Sequence, residues 1–256
     1  MKLFAYITLR FLVTNLFNEE IQLISVILLK LPIIEGEFIK RINRFVGLVR
    51  IRGEVKKALI TNTGRLEEFM IKGRKCFCIP KQGGKTDFIL VAFEDKNSKG
   101  AVIDTRTQAK AFERAAELGL ISWLKDCYIK KREVKVGASR LDYLLECSGE
   151  EIWVEMKSAV LREGEYAMYP DCPSLRGQKH IRELIKLREE GKRAMIVFIG
   201  ALPEVRKFKP YAKGDPKIAR LLKEAKAKGV EIRALSIALL PSGEVVLERD
   251  NLEVEI

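Results

Sequence analysis

The pair Ser148–Gly149 separates two runs with strand character, Arg140–Cys147 and Ile152–Lys157. If that pair is a two-residue hairpin turn, the turn sets which residues of the two runs lie opposite each other. Cys147 then pairs with Glu150, Asp142 falls opposite Glu155, and Arg140 falls opposite Lys157. Strand side chains alternate faces, so Trp153, Glu155 and Lys157 share one face while Ile152, Val154 and Met156 share the other. Glu155 and Lys157 then stand about 7 Å apart on the same side. Two carboxylates directly across a strand pair repel each other. A chain can keep them if a cation sits between them, and two carboxylates plus waters suit Mg²⁺ or Mn²⁺.

The surrounding pattern gives this hairpin a setting. Thr107–Leu118 has helical spacing, with Ala109, Phe112 and Ala116 on one stripe and Gly119 at the stop. Glu133–Val136 reads as a strand ahead of the hairpin. Ser174 can cap a helix running to Glu190, closed by Gly191, and Arg193–Gly200 is a buried-type strand. The order is α-β-β-β-α-β. Asp215–Pro216 opens another helix, ending at Gly229, and Val230–Leu240 with Glu244–Leu247 forms a last hairpin. Glu113, on the first helix, is a further candidate metal ligand if that helix packs toward the carboxylate pair.

A different texture precedes this region. The formal net charge of the chain is +12. Between Glu35 and Gly84, twelve Lys and Arg stand against five acids, so more than half of the excess lies in a fifth of the chain. Phe38–Ile51, Ala58–Ile60, Lys75–Ile79 and Phe88–Phe93 read as short strands separated by glycines, a pattern that fits a small OB-like barrel with a cationic face. Such a face points to an anionic partner. Lys40, Arg41, Arg44, Arg50, Arg52, Asn62 and Arg65 are its candidate nucleic-acid contacts. Arg176, Lys179 and His180 join them from the start of the helix at Ser174, where free N–H groups favour phosphate. Phe38, Phe45, Phe69 and Phe77 offer bases a surface to stack on, but core packing is the stronger reading for each.

Absences narrow the chemistry further. His180 is the single histidine, which excludes multi-histidine zinc sites and leaves a hard, oxygen-bound ion. The five cysteines are Cys76, Cys78, Cys127, Cys147 and Cys172. Odd in number and scattered, they read as free thiols of a reducing cytoplasm. Residues 1–28 form an apolar stretch of unassigned role, broken by polar residues too often for a membrane span, with no small-x-small cleavage site after it.

These motifs together resemble the sugar fermentation stimulation protein family (SfsA). The likeness rests on Phe38-Ile39-Lys40-Arg41, Asn62-Thr63-Gly64-Arg65, the run from Gly137 to Asp142, Val154 to Lys157, Tyr169-Pro170-Asp171, and Arg176 to His180. It implies a mixed α/β chain with an N-terminal OB-like domain at 29–100 and a PD-(D/E)xK nuclease-like domain at 101–256. It also places the nuclease motif on Asp142, Glu155 and Lys157, makes Glu113 the helix carboxylate, and gives Arg65 and the loop at Asn62 a nucleic-acid role. Leu141 stands where the motif's name has proline. The expected function is Mg²⁺- or Mn²⁺-dependent hydrolysis of nucleic acid, DNA in preference to RNA. The alternative is a DNA-binding regulator on the same fold without cleavage.

Overall fold

The computed structural model describes residues 26–137 and 139–256. Strand β1, Val26–Lys30, comes first, followed by β2, Ile34–Asn43, and β3, Val46–Ile51. Next are β4, Glu54–Leu59, β5, Lys75–Pro80, and β6, Phe88–Glu94. β2 to β6 form the expected barrel. Their order is β4-β3-β2-β5-β6, and β4 pairs with β6 through Ala58–Phe88 and Leu59–Ile89, closing five strands on themselves. Phe38, Val49, Ile60, Phe69, Phe77 and Phe93 fill the interior. Phe38 meets Phe93 edge-on at 5.3 Å.

One strand expected at Phe38–Ile51 is in fact two. Asn43 pairs with Val46, leaving Arg44–Phe45 as a two-residue turn, and the Asn43 side chain accepts the Phe45 N–H at 2.9 Å. That local bond favours a turn where apolar alternation alone continues the strand.

The second half begins with β7, Gly100–Val102, and helix α1, Thr105–Glu117. Then come β8, Cys127–Val136, β9, Ser139–Cys147, and β10, Glu150–Ser158. Two short strands, β11 at Leu161–Glu163 and β12 at Tyr166–Tyr169, precede helix α2, Leu175–Glu189. The chain finishes with β13, Arg193–Gly200, β14, Lys207–Pro210, and helix α3, Pro216–Ala227. Strands β15, Glu231–Leu239, β16, Glu244–Arg249, and β17, Glu253–Val254, follow it. The αβββαβ order is therefore present as α1, β8, β9, β10, α2 and β13. The short strands β11, β12, β14 and β17 form a small second sheet that the hydrophobic pattern did not reveal.

In this half the main sheet runs β7-β15-β13-β10-β9-β8, with β10, β13 and β15 parallel, and it continues through β7 into the barrel at β6. β13 is apolar and buried from Ala194 to Gly200, as a central parallel strand covered on both faces must be. Helix starts follow the capping residues in the sequence. Asp104 accepts Thr107 N–H at 2.8 Å, Ser174 accepts Gly177 N–H at 3.0 Å, and Asp215 accepts Lys217 N–H at 3.0 Å.

The apolar stripe expected on α1 is displaced. Ala111, Phe112 and Ala115 are buried, together with Thr107 and Gln108. Gln108 donates to the Val102 carbonyl at 2.7 Å and to Ser158 Oγ at 2.8 Å. A paired polar residue thus occupies the buried face, which hydrophobic periodicity does not detect.

The expected boundary at 28/29 falls inside β1, which pairs with β16 of the second half rather than with the barrel. Residues 1–25 of the apolar stretch lie outside the described residues. Among the described residues no helix is long and apolar enough to cross a membrane.

The reading of five free thiols is overturned. Cys127 and Cys147 form a disulfide that spans 20 residues of chain, with their Cα atoms 4.1 Å apart. β8 and β9 pair antiparallel with these two cysteines opposite each other, a closeness in space that distance in sequence conceals. The thiols therefore no longer argue for a reducing compartment. Cys147→Ser is expected to lower the unfolding free energy by about 2–4 kcal/mol. Thermal unfolding with and without reductant checks this, since the wild type should fall to the variant's midpoint only when reduced.

Candidate active site

Strands β9 and β10 pair in the register the hairpin predicts, from Cys147–Glu150 to Tyr143–Val154. The ladder then changes character. Asp142 Oδ2 accepts the Met156 N–H at 2.7 Å, so a carboxylate replaces a backbone carbonyl at this position. Two residues along β10 from each other, Glu155 and Lys157 form an ion pair with only 3% and 10% of their side chains exposed. His180, from the second turn of α2, bonds through Nδ1 to the same oxygen, Glu155 Oε1. Glu155 Oε2 is buried and has no hydrogen-bond partner.

These groups shift one another's protonation. Burial, then the neighbouring charge of Glu155, pushes Asp142 up to about 6, although Met156 N–H, Lys157 and His180 oppose the shift. Burial would raise Glu155 too, but the Lys157 charge and the bond from His180 outweigh it and leave that carboxyl low. For Lys157 burial works downward and is overcome by Glu155, so the ammonium is held above its ordinary value. The floor of the site thus carries a firmly ionised Glu–Lys pair beside a carboxyl that titrates near neutrality.

Asp142, Glu155 and Lys157 line a cleft of about 810 Å³ between the two halves of the chain. The barrel contributes Arg44, Phe45 and residues 61–64, and the opposite wall runs from Met168 to Gly177. The two walls are tied together. Asn62 Nδ2 donates to Ser158 Oγ at 3.1 Å, and Thr61 Oγ1 bonds Asp104 at 2.7 Å. Asp171 accepts Leu66 N–H at 2.8 Å. A Cβ on Gly64 would stand 2.7 Å from both Asp171 carboxylate oxygens, so only glycine lets this approach occur. Asp171→Ala should destabilise the protein by about 1–3 kcal/mol, the cost of leaving a buried donor unsatisfied. Hydrogen exchange should then quicken at residues 61–66, and unchanged exchange there would refute the tie.

The structure sorts the expected nucleic-acid residues. Arg44 and Arg176 line the cleft and are exposed. Arg41 does not serve as a free cation, because its guanidinium donates to the carbonyls of Asn43, Arg44, Asn62, Gly64 and Arg65. Asn62 lines the cleft but its amide is engaged by Ser158 and Gly64. Arg50 pairs with Glu37 at 3.1 Å. Lys40 and Arg52 are exposed on the barrel outside the cleft lining, and Lys179 is exposed on α2. Arg65 lines a neighbouring cavity of about 350 Å³ with Asp171 and Cys172. His180 is 4% exposed beneath the cleft, so it supports Glu155 and offers no phosphate contact.

Glu113 is not brought to the pair. It accepts two bonds from Arg132, at 3.0 and 2.9 Å, and one from Tyr143 at 3.0 Å. Tyr143 neighbours Asp142 on β9, so their side chains leave opposite faces. Glu113 is therefore on the α1 side of the sheet, while Asp142, Glu155 and Lys157 face α2. Among the described residues no group of three or more His, Cys, Asp or Glu is arranged to hold a metal. Two carboxylates remain, one with an unpartnered buried oxygen, and that donor set fits a hard ion which keeps several waters. Sequence reasoning missed the bracing roles of Asp171 and Thr61. Asp171 sits in the Tyr169-Pro170-Asp171 motif, but nothing in its spacing tells a structural role from a contact.

Comparison with known proteins agrees with this architecture. Residues 39–103 match the model of the SfsA N-terminal OB domain, and residues 106–243 match that of the sugar fermentation stimulation protein RE domain. A sugar fermentation stimulation protein homolog of Pyrococcus furiosus is 66% identical over 225 residues, covering 88% of this chain and 97% of the relative. One from Archaeoglobus fulgidus is 44% identical, covering 87% and 96%. A solved structure of Pyrococcus furiosus SfsA in complex with Ca²⁺ superimposes with a TM-score of 0.88 at 63% identity, covering 90% of this chain and 100% of that one. The chain belongs to the sugar fermentation stimulation protein family.

Proposed function

We propose that the protein is a metal-dependent nuclease that hydrolyses phosphodiester bonds, with DNA as substrate in preference to RNA. The observation that carries this reading is Glu155. Lys157 and His180 hold one of its oxygens, the other is buried without a partner, and Asp142 stands beside it in an open cleft. A buried polar atom left unsatisfied calls for a ligand. Asp142 and Glu155 would hold Mg²⁺ or Mn²⁺, without Glu113. The Ca²⁺ in the Pyrococcus furiosus relative supports the choice of a hard, oxygen-bound ion. When bound, such an ion lowers the pKa of a coordinated water and offsets charge on a phosphate oxygen.

The chain's own residues do the rest. Lys157 places a fixed positive charge at the cleft floor, where a phosphate gains negative charge during attack. His180 keeps the Glu155 carboxylate oriented. Arg44 and Arg176 engage phosphates at the rim, on opposite walls.

The test is a cleavage assay with Mg²⁺, Mn²⁺ or chelator on DNA and RNA, each single- and double-stranded. Metal-dependent DNA hydrolysis is expected, and none with any metal would overturn the proposal. Binding should weaken steeply with salt, because bound phosphates release counterions. Titration by fluorescence anisotropy at several salt concentrations checks this, and a flat dependence would refute phosphate contact.

A further inference from the structure

We infer that the cleft takes an unpaired DNA strand, with a base held at its mouth by Phe45 and Leu175 and the adjoining phosphates held by Arg44 and Arg176. The inference rests on the nuclease reading for the chemistry at the floor, but its binding claim stands on the two rims alone.

Among the described barrel phenylalanines, Phe45 is the exposed one. It is 52% exposed, whereas Phe38, Phe69, Phe77 and Phe93 are buried. Leu175, the first residue of α2, is 78% exposed. Both line the cleft while remaining largely in water, so they stand at its mouth. They come from opposite walls, and each has a cleft-lining arginine next to it in sequence, Arg44 beside Phe45 and Arg176 beside Leu175. An apolar side chain joined to a guanidinium matches one nucleotide, whose base is flat and apolar on its faces and whose phosphate is anionic.

The Phe45 turn is also held in place. Arg41 donates to the Arg44 carbonyl at 2.7 Å and the Gly64 carbonyl at 2.6 Å, and Asn43 Oδ1 accepts Phe45 N–H. The ring is therefore displayed on a braced tip, and little ordering is left to do on binding.

A duplex cannot use this entrance well. Its base faces are stacked inside, so along its length Phe45 and Leu175 would meet only sugars, phosphates and base edges. The cleft has the volume of a small-ligand pocket, and its acidic floor is nearly closed, with Glu155 2% exposed. One strand with its bases free can bring a phosphate to that floor while a base remains at the mouth.

The experiment measures binding in chelator, so that no cleavage occurs, with labelled oligothymidine and a blunt duplex. Wild type should bind oligothymidine more tightly. Phe45→Ala should weaken that binding by about ten-fold, the scale of one lost stacked base, and Phe45→Trp should restore it. Neither change should alter duplex affinity. Equal loss on both probes, or no loss on the strand, overturns the inference. Cleavage then separates it from the nuclease reading. Strand binding that depends on Phe45, with no cleavage in Mg²⁺ or Mn²⁺, sinks the nuclease and supports the inference. Duplex cut as fast as single strand, by wild type and Phe45→Ala alike, sinks the inference and leaves the nuclease.

Discussion

Removing the charges of Glu155 and Lys157 together, as Glu155→Gln with Lys157→Met, is expected to reduce metal-dependent cleavage by about a thousand-fold and to leave the fold intact. The double change is the informative one. The two groups form a buried ion pair, and deleting one partner leaves the other charged in a dry site, at about 3–5 kcal/mol. Glu155→Ala alone would therefore lower activity partly by unfolding. Replacing both with groups of similar shape removes the charges without creating an orphan ion, and the glutamine side chain still offers an amide oxygen to His180. Two measurements are needed, the cleavage rate in Mg²⁺ and the thermal midpoint. A near-native midpoint with activity lost supports the assignment. A double variant that cleaves at the wild-type rate would remove Glu155 and Lys157 from the chemistry.

The hairpin that places this pair was legible because its information is local. A two-residue turn and a period of two fix register without any knowledge of the rest of the chain, and the pairing from Cys147–Glu150 to Tyr143–Val154 follows from them. The ladder failed to continue at Asp142 because a side chain took the backbone's place, which register cannot anticipate. Glu113 was misplaced for a related reason. Helical spacing puts it beside the Ala109–Ala116 stripe of α1 but does not say against which face of the sheet α1 packs, and it packs on the Tyr143 side. The basic segment is legible as a run of charge, but not which of its cations the fold itself binds. Arg41 looks like its neighbours in sequence, yet it binds five carbonyls and braces the turn that carries Phe45. The disulfide was hidden because Cys127 and Cys147 meet only after β8 folds onto β9.

Asp142→Asn is expected to stabilise the metal-free protein while abolishing cleavage. Its carboxyl titrates at about 6 in the folded chain, raised first by burial and then by Glu155, against about 4 when unfolded. The folded state therefore holds this proton more tightly than the unfolded state does. Stability from the group is fully present below pH 4 and is lost as pH rises through 6. At pH 7.5 the loss is on the order of 3 kcal/mol, two pKa units at about 1.4 kcal/mol each. Asparagine never ionises, and its amide oxygen can still accept the Met156 N–H. In chelator at pH 7.5 the variant should melt higher than wild type, by roughly 2–4 °C for each kcal/mol recovered. At pH 5, where Asp142 is ionised in the unfolded chain but mostly protonated in the folded one, about half of that difference should remain, and the two curves should meet only below pH 4. Mg²⁺ should raise the wild-type midpoint at pH 7.5 and leave the variant's nearly unchanged. A variant that melts lower than wild type in chelator at pH 7.5 would show that Asp142 is a structural acceptor and nothing more. A higher midpoint together with lost metal response would mean that the folded chain keeps two close carboxylates at a cost to its own stability, a cost that a bound cation relieves.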